Sequence, residues 1–272
     1  MLGARKKHDS TKQISRFERS HTTCYTGAVK ISIIVPAFNE EKFLGETLAQ
    51  IKLAAGAFSN IGWETELIVC NNNSTDHTED IARTAGANVV FEPVNQISRA
   101  RNSGAAAATG DWLVFVDADS HPSAGLFADM AKEIQSGKCM AGGATIRWDQ
   151  KLFIIELLTP VVNIAFRWRR LLCGAFIFIE TAAFRKLGGF SNEAFGGEDV
   201  ELAGRLKNLA RETGKRFIIL HRHPVVTSAR RMKLYSTRRQ IGQIRLLYYV
   251  IFDPHHVTKS RDAARIWYEG RR

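Results

Sequence analysis

Cysteine is scarce in this 272-residue chain: the four, Cys24, Cys70, Cys139 and Cys173, are far apart and form no C-x-x-C pair. That argues against a disulfide framework and a zinc site, and three lie in apolar surroundings, as buried thiols in a reducing compartment would. No run approaches the roughly 18 uncharged apolar residues of a membrane span, and no apolar signal-type segment opens the chain, so a cytoplasmic protein is expected. The 6 prolines and 21 glycines are scattered and not gathered into a linker, which favours one large domain. No G-x-G-x-x-G follows the first strand pattern, and no G-K-[ST] cradle occurs anywhere, which argues against a nicotinamide dehydrogenase and a P-loop nucleotidase.

What is present is an ordinary globular composition, 45% hydrophobic and 24% charged, with enough apolar mass for a full core. The formal charge of +11 is unevenly placed. Residues 1–30 carry seven Lys and Arg against two acids, and residues 230–272 carry eleven against three, so the body between them is close to neutral. Basic ends on a neutral core suit a phosphate-rich surface, lipid or nucleic acid, although such tails also simply solubilise. The chain therefore reads as a basic mobile tail over 1–29, a folded unit over 30–230 and a basic extension over 231–272, with a helix predicted at Thr237 to Val250.

Within 30–230, short apolar runs alternate with helical patterns. Ile31 to Val35, Leu67 to Cys70, Val89 to Phe91 and Trp112 to Val116 read as strands buried on both faces. Glu40 to Ala55, Asp76 to Ala85 and Ser98 to Ala108 read as helices between them. Such alternation implies right-handed βαβ crossovers and an α/β fold with a mostly parallel central sheet flanked by helices. Further on, helices are expected at Pro122 to Gln135, from Thr181 and from Glu198 to Arg211, with strands at Met140 to Trp148, Ala175 to Ile179 and Arg216 to Leu220. Ligands on such sheets bind beyond the carboxyl ends of the strands, so the loops after the strands are where chemistry is sought.

Those loops are polar. The first strand runs into Pro36-Ala37-Phe38-Asn39-Glu40-Glu41, a tight turn with acids placed to begin a helix. The second runs into Asn71-Asn72-Asn73-Ser74-Thr75-Asp76. Capping the next helix needs one or two of these residues, which leaves others for a ligand. The fourth ends in Asp117-Ala118-Asp119, where one carboxylate can hold a hard divalent cation and the other a sugar hydroxyl or bound water; an Asp-rich turn before Pro122 is the structural alternative. Gly196-Gly197 precede Glu198-Asp199, two acids that also suit a helix start through the dipole alone.

Pro36-Ala37-Phe38-Asn39-Glu40, Asn72 to Asp76, Ala100-Arg101-Asn102 with Gly104, Asp117-Ala118-Asp119 and Gly197-Glu198-Asp199 occur in the order and approximate spacing of the family 2 glycosyltransferases. Over roughly residues 30 to 230 the sequence resembles these inverting enzymes, which use a GT-A nucleotide-sugar fold. The resemblance implies a nucleotide-diphosphate sugar donor, an acceptor hydroxyl on a sugar, a lipid-linked molecule or a small molecule, and a Mn²⁺ or Mg²⁺ ion. It places Pro36, Ala37, Asn39 and Glu40 at the base and ribose, Asn71 and Asp76 beside the nucleotide, and Arg101 at a phosphate or base edge. Asp117 would face the ribose and donor sugar, Asp119 would hold the cation, and Asp199, with Glu198 beside it, would be the general base. Two positions depart from the pattern. Asn71 stands where relatives commonly have Asp, which leaves the base identity open, and Ser228 stands where many carry His. His221 and His223 lie just upstream, as candidates to help the metal or as structural residues.

One segment admits two readings. Leu152 to Phe166 is apolar, too short to span a bilayer, and bordered by Arg167-Trp168-Arg169-Arg170. A buried helix covering the active site accounts for the apolar run, whereas the basic border suits an interfacial helix on the anionic, cytoplasmic face of a membrane. A non-enzymatic protein that binds anionic lipid or nucleic acid through its basic ends is the rival to the transferase, with nucleic acid the weaker of those partners.

Overall fold

The structure, a computed structural model, describes residues 28–150, 153–193 and 197–230. The expected 1–29 tail, apart from its last two residues, the 231–272 extension with its Thr237 to Val250 helix, and Cys24 lie outside the described residues.

β1 (Lys30–Ala37), β2 (Glu64–Asn71), β3 (Asn88–Phe91) and β4 (Trp112–Val116) are joined by α1 (Leu44–Ser59), α2 (Thr78–Thr84) and α3 (Ile97–Ala107). The two-residue β5 (Ser120–His121) follows, then α4 (Ala124–Gln135), β6 (Cys139–Trp148), α5 (Phe153–Arg169), β7 (Phe176–Glu180), α6 (Thr181–Lys186), α7 (Glu198–Thr213) and β8 (Arg216–Thr227). The strands form one sheet in the order β3-β2-β1-β4-β7-β6-β8-β5. β3-β2-β1-β4 and the β6–β8 pair run parallel, while β7 is antiparallel to both its neighbours and β5 antiparallel to β8. Parallel neighbours bring the ends of β1, β2 and β4 to one edge, which assembles the polar loops there.

The strand period of two divides the core between the two faces of the sheet. On β4, Trp112, Val114 and Val116 point to the face packed by Leu48 and Phe58 of α1 and Phe127 of α4. Leu113 and Phe115 point to the other, against Phe184, Phe190 and Leu206. β1, β4 and the second half of β2 are buried on both faces as expected, but β3 is not: it closes one edge of the sheet, and Phe91 is 58% exposed. The helix expected from Glu40 begins only at Leu44, because residues 40–43 make a turn in which Glu40 O accepts the N–H groups of Phe43 and Leu44. β8 runs seven residues beyond the expected Leu220 and carries the chain back alongside β5.

α5 corrects the buried-helix reading of the apolar segment. Asn163 fastens it to β6 by donating to Ile146 O (2.9 Å) and accepting from Ile146 N–H (3.0 Å), and Phe166 is buried. On the opposite side, Leu157, Val161, Ile164 and Trp168 follow helical spacing and stand exposed, Trp168 at 79%. None of the described residues of α5 lines the cleft at the strand ends.

Candidate functional site

At the carboxyl edge of β1, β2 and β4 lies a cleft. Of the residues expected at the donor, Pro36, Ala37, Glu40, Asp117 and Asp119 line it. Phe38, Asn72, Ile97, Ala100 and Ala118 also line it; sequence reasoning assigns none of these a role, although Phe38, Asn72, Ala100 and Ala118 sit inside the motifs themselves.

Asn39, Asn71 and Asp76 instead knit the loops together. Asn39 has the left-handed φ of 52° that asparagine tolerates, and its Oδ1 accepts the Thr75 N–H at 2.9 Å. Asn71 donates to Glu79 Oε2 (2.8 Å) and accepts the Ser74 N–H (2.9 Å). Asp76 accepts from the Thr78 hydroxyl (2.5 Å), Glu41 N–H (3.1 Å) and Thr78 N–H (3.0 Å), bonds that hold its carboxyl below the usual range against the opposing effect of burial. The run of short polar residues is used mainly for turn and helix-start geometry, and Asn72, bonded to Glu92 O and Val94 O, is the one that faces the cleft.

Arg101, expected at a phosphate or base edge, is engaged by acids of the protein itself. It enters from α3 with a side chain only 1% exposed, and its guanidinium is directed at carboxylates. Nη1 donates to Glu198 Oε1 at 2.7 Å and Nη2 to Asp117 Oδ1 at 2.9 Å, while Phe190 lies under the guanidinium with its ring centroid 5.2 Å away. Burial opposes the charge, but Asp117, Glu198 and Asp199 together overcome it and raise the Arg101 pKa. The planar fork thus bridges the end of β4 to the start of α7, two places 81 residues apart in sequence.

Asp199 sits beside that bridge. Its Oδ2 accepts the Gly174 N–H at 3.0 Å and its Oδ1 the Val200 N–H at 2.8 Å. Burial first, and then the negative charge of Glu198, push its carboxyl up to about 7, in spite of the Arg101 charge and the Val200 bond. A carboxylate poised near neutral pH is suited to take a proton from a hydroxyl. Gly174 is required by close packing: a Cβ there would lie 2.4 Å from Arg101 Nη2. Gly197, at φ 71°, provides the left-handed turn into α7 that presents Glu198 and Asp199.

The other side of the cleft holds a residue that sequence reasoning misses. Ser120 pairs with Thr227, and Ser228 N–H donates to Asp119 O, so the chain beyond β8 passes directly along the Asp119 loop. Two residues later Arg230 bonds both Asp119 and Glu40. His223 is engaged elsewhere, 2.9 Å from Asp129 of α4, and His221 is exposed on β8; neither lines the cleft.

The model of Glycosyl transferase family 2 matches residues 32–190, more than half of the chain. The chain belongs to that family. Among its relatives is an uncharacterized glycosyltransferase of Mycobacterium bovis, 32% identical over 113 residues that cover 42% of this chain and 47% of the relative. This family 2 chain thus spans about half the length of such curated relatives. Among solved structures, a mannosyltransferase from Pyrobaculum calidifontis in complex with GDP-Man and Mn²⁺ is similar at TM-score 0.61 and 20% identity, over 89% of this chain and 73% of that one. Glucosyl-3-phosphoglycerate synthase from Mycobacterium tuberculosis, in complex with Mn²⁺, UDP and glucosyl-3-phosphoglycerate, is similar at TM-score 0.51 and 19% identity, over 82% and 79%. At these identities the likeness establishes the fold, which is GT-A.

The residues of the cleft suit a divalent cation in a particular way. Among the described residues no group of three His, Cys, Asp or Glu converges on one point. Asp119, with Asp117 two residues before it, instead offers one or two carboxylates, the number a protein uses for an Mg²⁺-type ion that takes its remaining ligands from substrate and water. The hard oxygen donors fit such an ion, and the acidic corner already accommodates the positive charge of Arg230.

Proposed function

We propose that the chain transfers a sugar from a nucleotide-diphosphate sugar to an acceptor hydroxyl with inversion at the anomeric carbon, and that residues 30–230 are the catalytic unit, flanked by basic extensions. The observation that carries this reading is the Arg101 bridge, which fixes Asp117 at the end of β4 against the helix start that bears Asp199. In it, Pro36, Ala37 and Glu40 take the nucleoside side of the donor, Asp117 the donor sugar, and Asp119 would hold Mn²⁺ or Mg²⁺. When bound there, the ion would neutralise the charge that builds on the departing phosphate. Asp199 Oδ2 removes the acceptor proton as the hydroxyl attacks the face of the sugar opposite the diphosphate. One base suffices for a single displacement, and inversion follows. Glu198, held by Arg101, keeps the Asp199 carboxyl basic through its charge. The Mn²⁺ and nucleotide sugar bound by the mannosyltransferase of similar fold support the donor class. Assaying hydrolysis of a panel of UDP-, GDP- and dTDP-sugars with Mn²⁺ tests the reading: turnover of one donor is expected, and inertness toward all of them would overturn it.

The acceptor side involves a membrane in this reading. No helix among the described residues is long and apolar enough to cross a bilayer, but the exposed stripe of α5 runs into Arg167, Arg169 and Arg170. Lys207 of α7 faces the same positive field: burial, and then Arg169, Arg170 and Arg211, lower its pKa. Apolar side chains beside concentrated positive charge match an anionic bilayer surface, where each basic residue contributes about 1 kcal/mol. Peripheral, salt-sensitive attachment to the cytoplasmic face would bring the cleft to a lipid-linked or membrane-proximal acceptor. Co-sedimentation with anionic vesicles at low salt, lost with neutral vesicles and with Trp168→Ser, is expected; equal recovery in the supernatant under all conditions would point to a soluble acceptor.

A further inference from the structure

Arg230 occupies the acidic corner of the cleft. Its Nε lies 3.1 Å from Asp119 Oδ2, its Nη2 donates to Glu40 Oε1, and its guanidinium carbon sits 4.4 Å from the centroid of the Phe43 ring. The side chain is 26% exposed. Burial disfavours its charge, and the two carboxylates more than compensate, raising its pKa. Its backbone is fixed close by, through the β5–β8 pairing, the Ser228 N–H to Asp119 O bond and its own N–H to Ser228 Oγ (3.2 Å).

We propose that Arg230 has two alternative partners: Asp119 and Glu40 while the cleft lacks nucleotide, and the donor diphosphate once donor and divalent cation have entered together. The proposal rests on the nucleotide-sugar reading and adds a residue to it. A guanidinium at 3.1 Å from Asp119 Oδ2 stands where a cation approaching that carboxylate must come, and two cations do not share one carboxylate edge without strong repulsion. Entry of the ion therefore displaces Arg230. Its anchored backbone keeps it at the mouth of the cleft, where the densest negative charge is then the diphosphate that arrives with the ion. A planar fork with five donors matches phosphate oxygens as well as carboxylates. It follows that Mn²⁺ alone binds weakly, because it must break the Arg230 contacts for no return, and that ion and nucleotide assist each other's binding by the same factor.

The test compares the full chain with Arg230→Gln and Arg230→Lys. Mn²⁺ binding without nucleotide is read by electron paramagnetic resonance of the free ion, and UDP, GDP and dTDP binding by calorimetry with and without Mn²⁺. Arg230→Gln is expected to bind Mn²⁺ alone roughly tenfold more tightly and the Mn²⁺–nucleotide pair roughly tenfold more weakly, since charge-assisted hydrogen bonds are exchanged in each case. Arg230→Lys, with the charge but not the fork, should fall between in both, and it decides the matter if the Gln variant fails to fold. Equal Mn²⁺ affinity in all three chains would overturn the competition, and equal nucleotide affinity would overturn the handover. If the wild-type chain binds none of UDP, GDP and dTDP, the donor reading fails and takes the handover with it, while the Mn²⁺ titration still decides whether Arg230 competes.

Discussion

Arg101 Nη1 lies 2.7 Å from Glu198 Oε1, a contact between residues 97 apart that, with the Nη2 bond to Asp117, joins the end of β4 to the start of α7. Removing the cation would leave the buried Glu198 and the partly buried Asp117 as neighbouring negative charges with no cation between them. Breaking one partner out of a buried ionic arrangement costs about 3–5 kcal/mol. Arg101→Ala should lower the urea midpoint of unfolding by a corresponding amount and abolish turnover. Arg101→Lys, which keeps the charge but cannot reach two carboxylates as a fork, should recover part of the stability and little of the turnover.

Gly174→Ala tests the same junction without touching a charge. The added methyl would sit 2.4 Å from Arg101 Nη2 and 3.4 Å from Asp117 Oδ2. Either the guanidinium or the 173–175 backbone must shift, and the second takes with it the N–H that Asp199 accepts. A loss of 1–3 kcal/mol in stability, typical of roughly one methyl of overpacking, with a larger proportional loss of turnover, is expected from paired unfolding and activity measurements.

The local chemistry of the chain is legible in its sequence, and the long-range chemistry is not. Buried strands announce themselves by apolar runs, so β4 lies where the Trp112 to Val116 run predicts it, and the acids following it line the cleft. The polar run after β2 is ambiguous in sequence because the same short side chains serve turns and ligands. Packing resolves it by giving Asn71 to Glu79 and Asp76 to the start of α2. Arg101 stands in a motif that the sequence marks, but its partners are not those the motif suggests, since nothing local indicates that Glu198 arrives from 97 residues downstream. Arg230 carries no signal at all: it lies in a basic stretch, and only the extension of β8 beside the two-residue β5 brings it to Asp119. For α5 the apolar pattern is a true guide to the helix and a false one to its direction, because composition does not say which face of a helix finds a partner.

The cation assignment to Asp119 is tested by its removal. EDTA should abolish turnover and excess Mn²⁺ restore it. Asp119→Ala should lose at least about 100-fold even with excess Mn²⁺, in line with the several kcal/mol a bound ion supplies to a developing phosphate charge. Near wild-type turnover in that variant, or indifference to EDTA, would remove Asp119 from the role.

Asp199 makes the sharpest demand on pH. As a base it acts only when ionised, and burial together with the Glu198 charge has moved that ionisation from the usual carboxylate range up to about 7. Turnover should therefore fall about tenfold for each pH unit below about 7 and level off above it, as expected when the ionised fraction of a single base sets the rate. Asp199→Asn keeps the shape and loses the basicity, so it should lower turnover by about 10²- to 10⁴-fold while leaving donor affinity nearly unchanged. Glu198→Gln provides the control that separates chemistry from packing. It removes the second-ranked cause of the raised pKa, so the acid limb of the profile should move to lower pH, whereas a purely structural pair of acids would lose activity at every pH alike. A profile flat between pH 5 and 8 in the wild-type chain, or an Asp199→Asn variant impaired chiefly in donor binding, would take the base role away from Asp199.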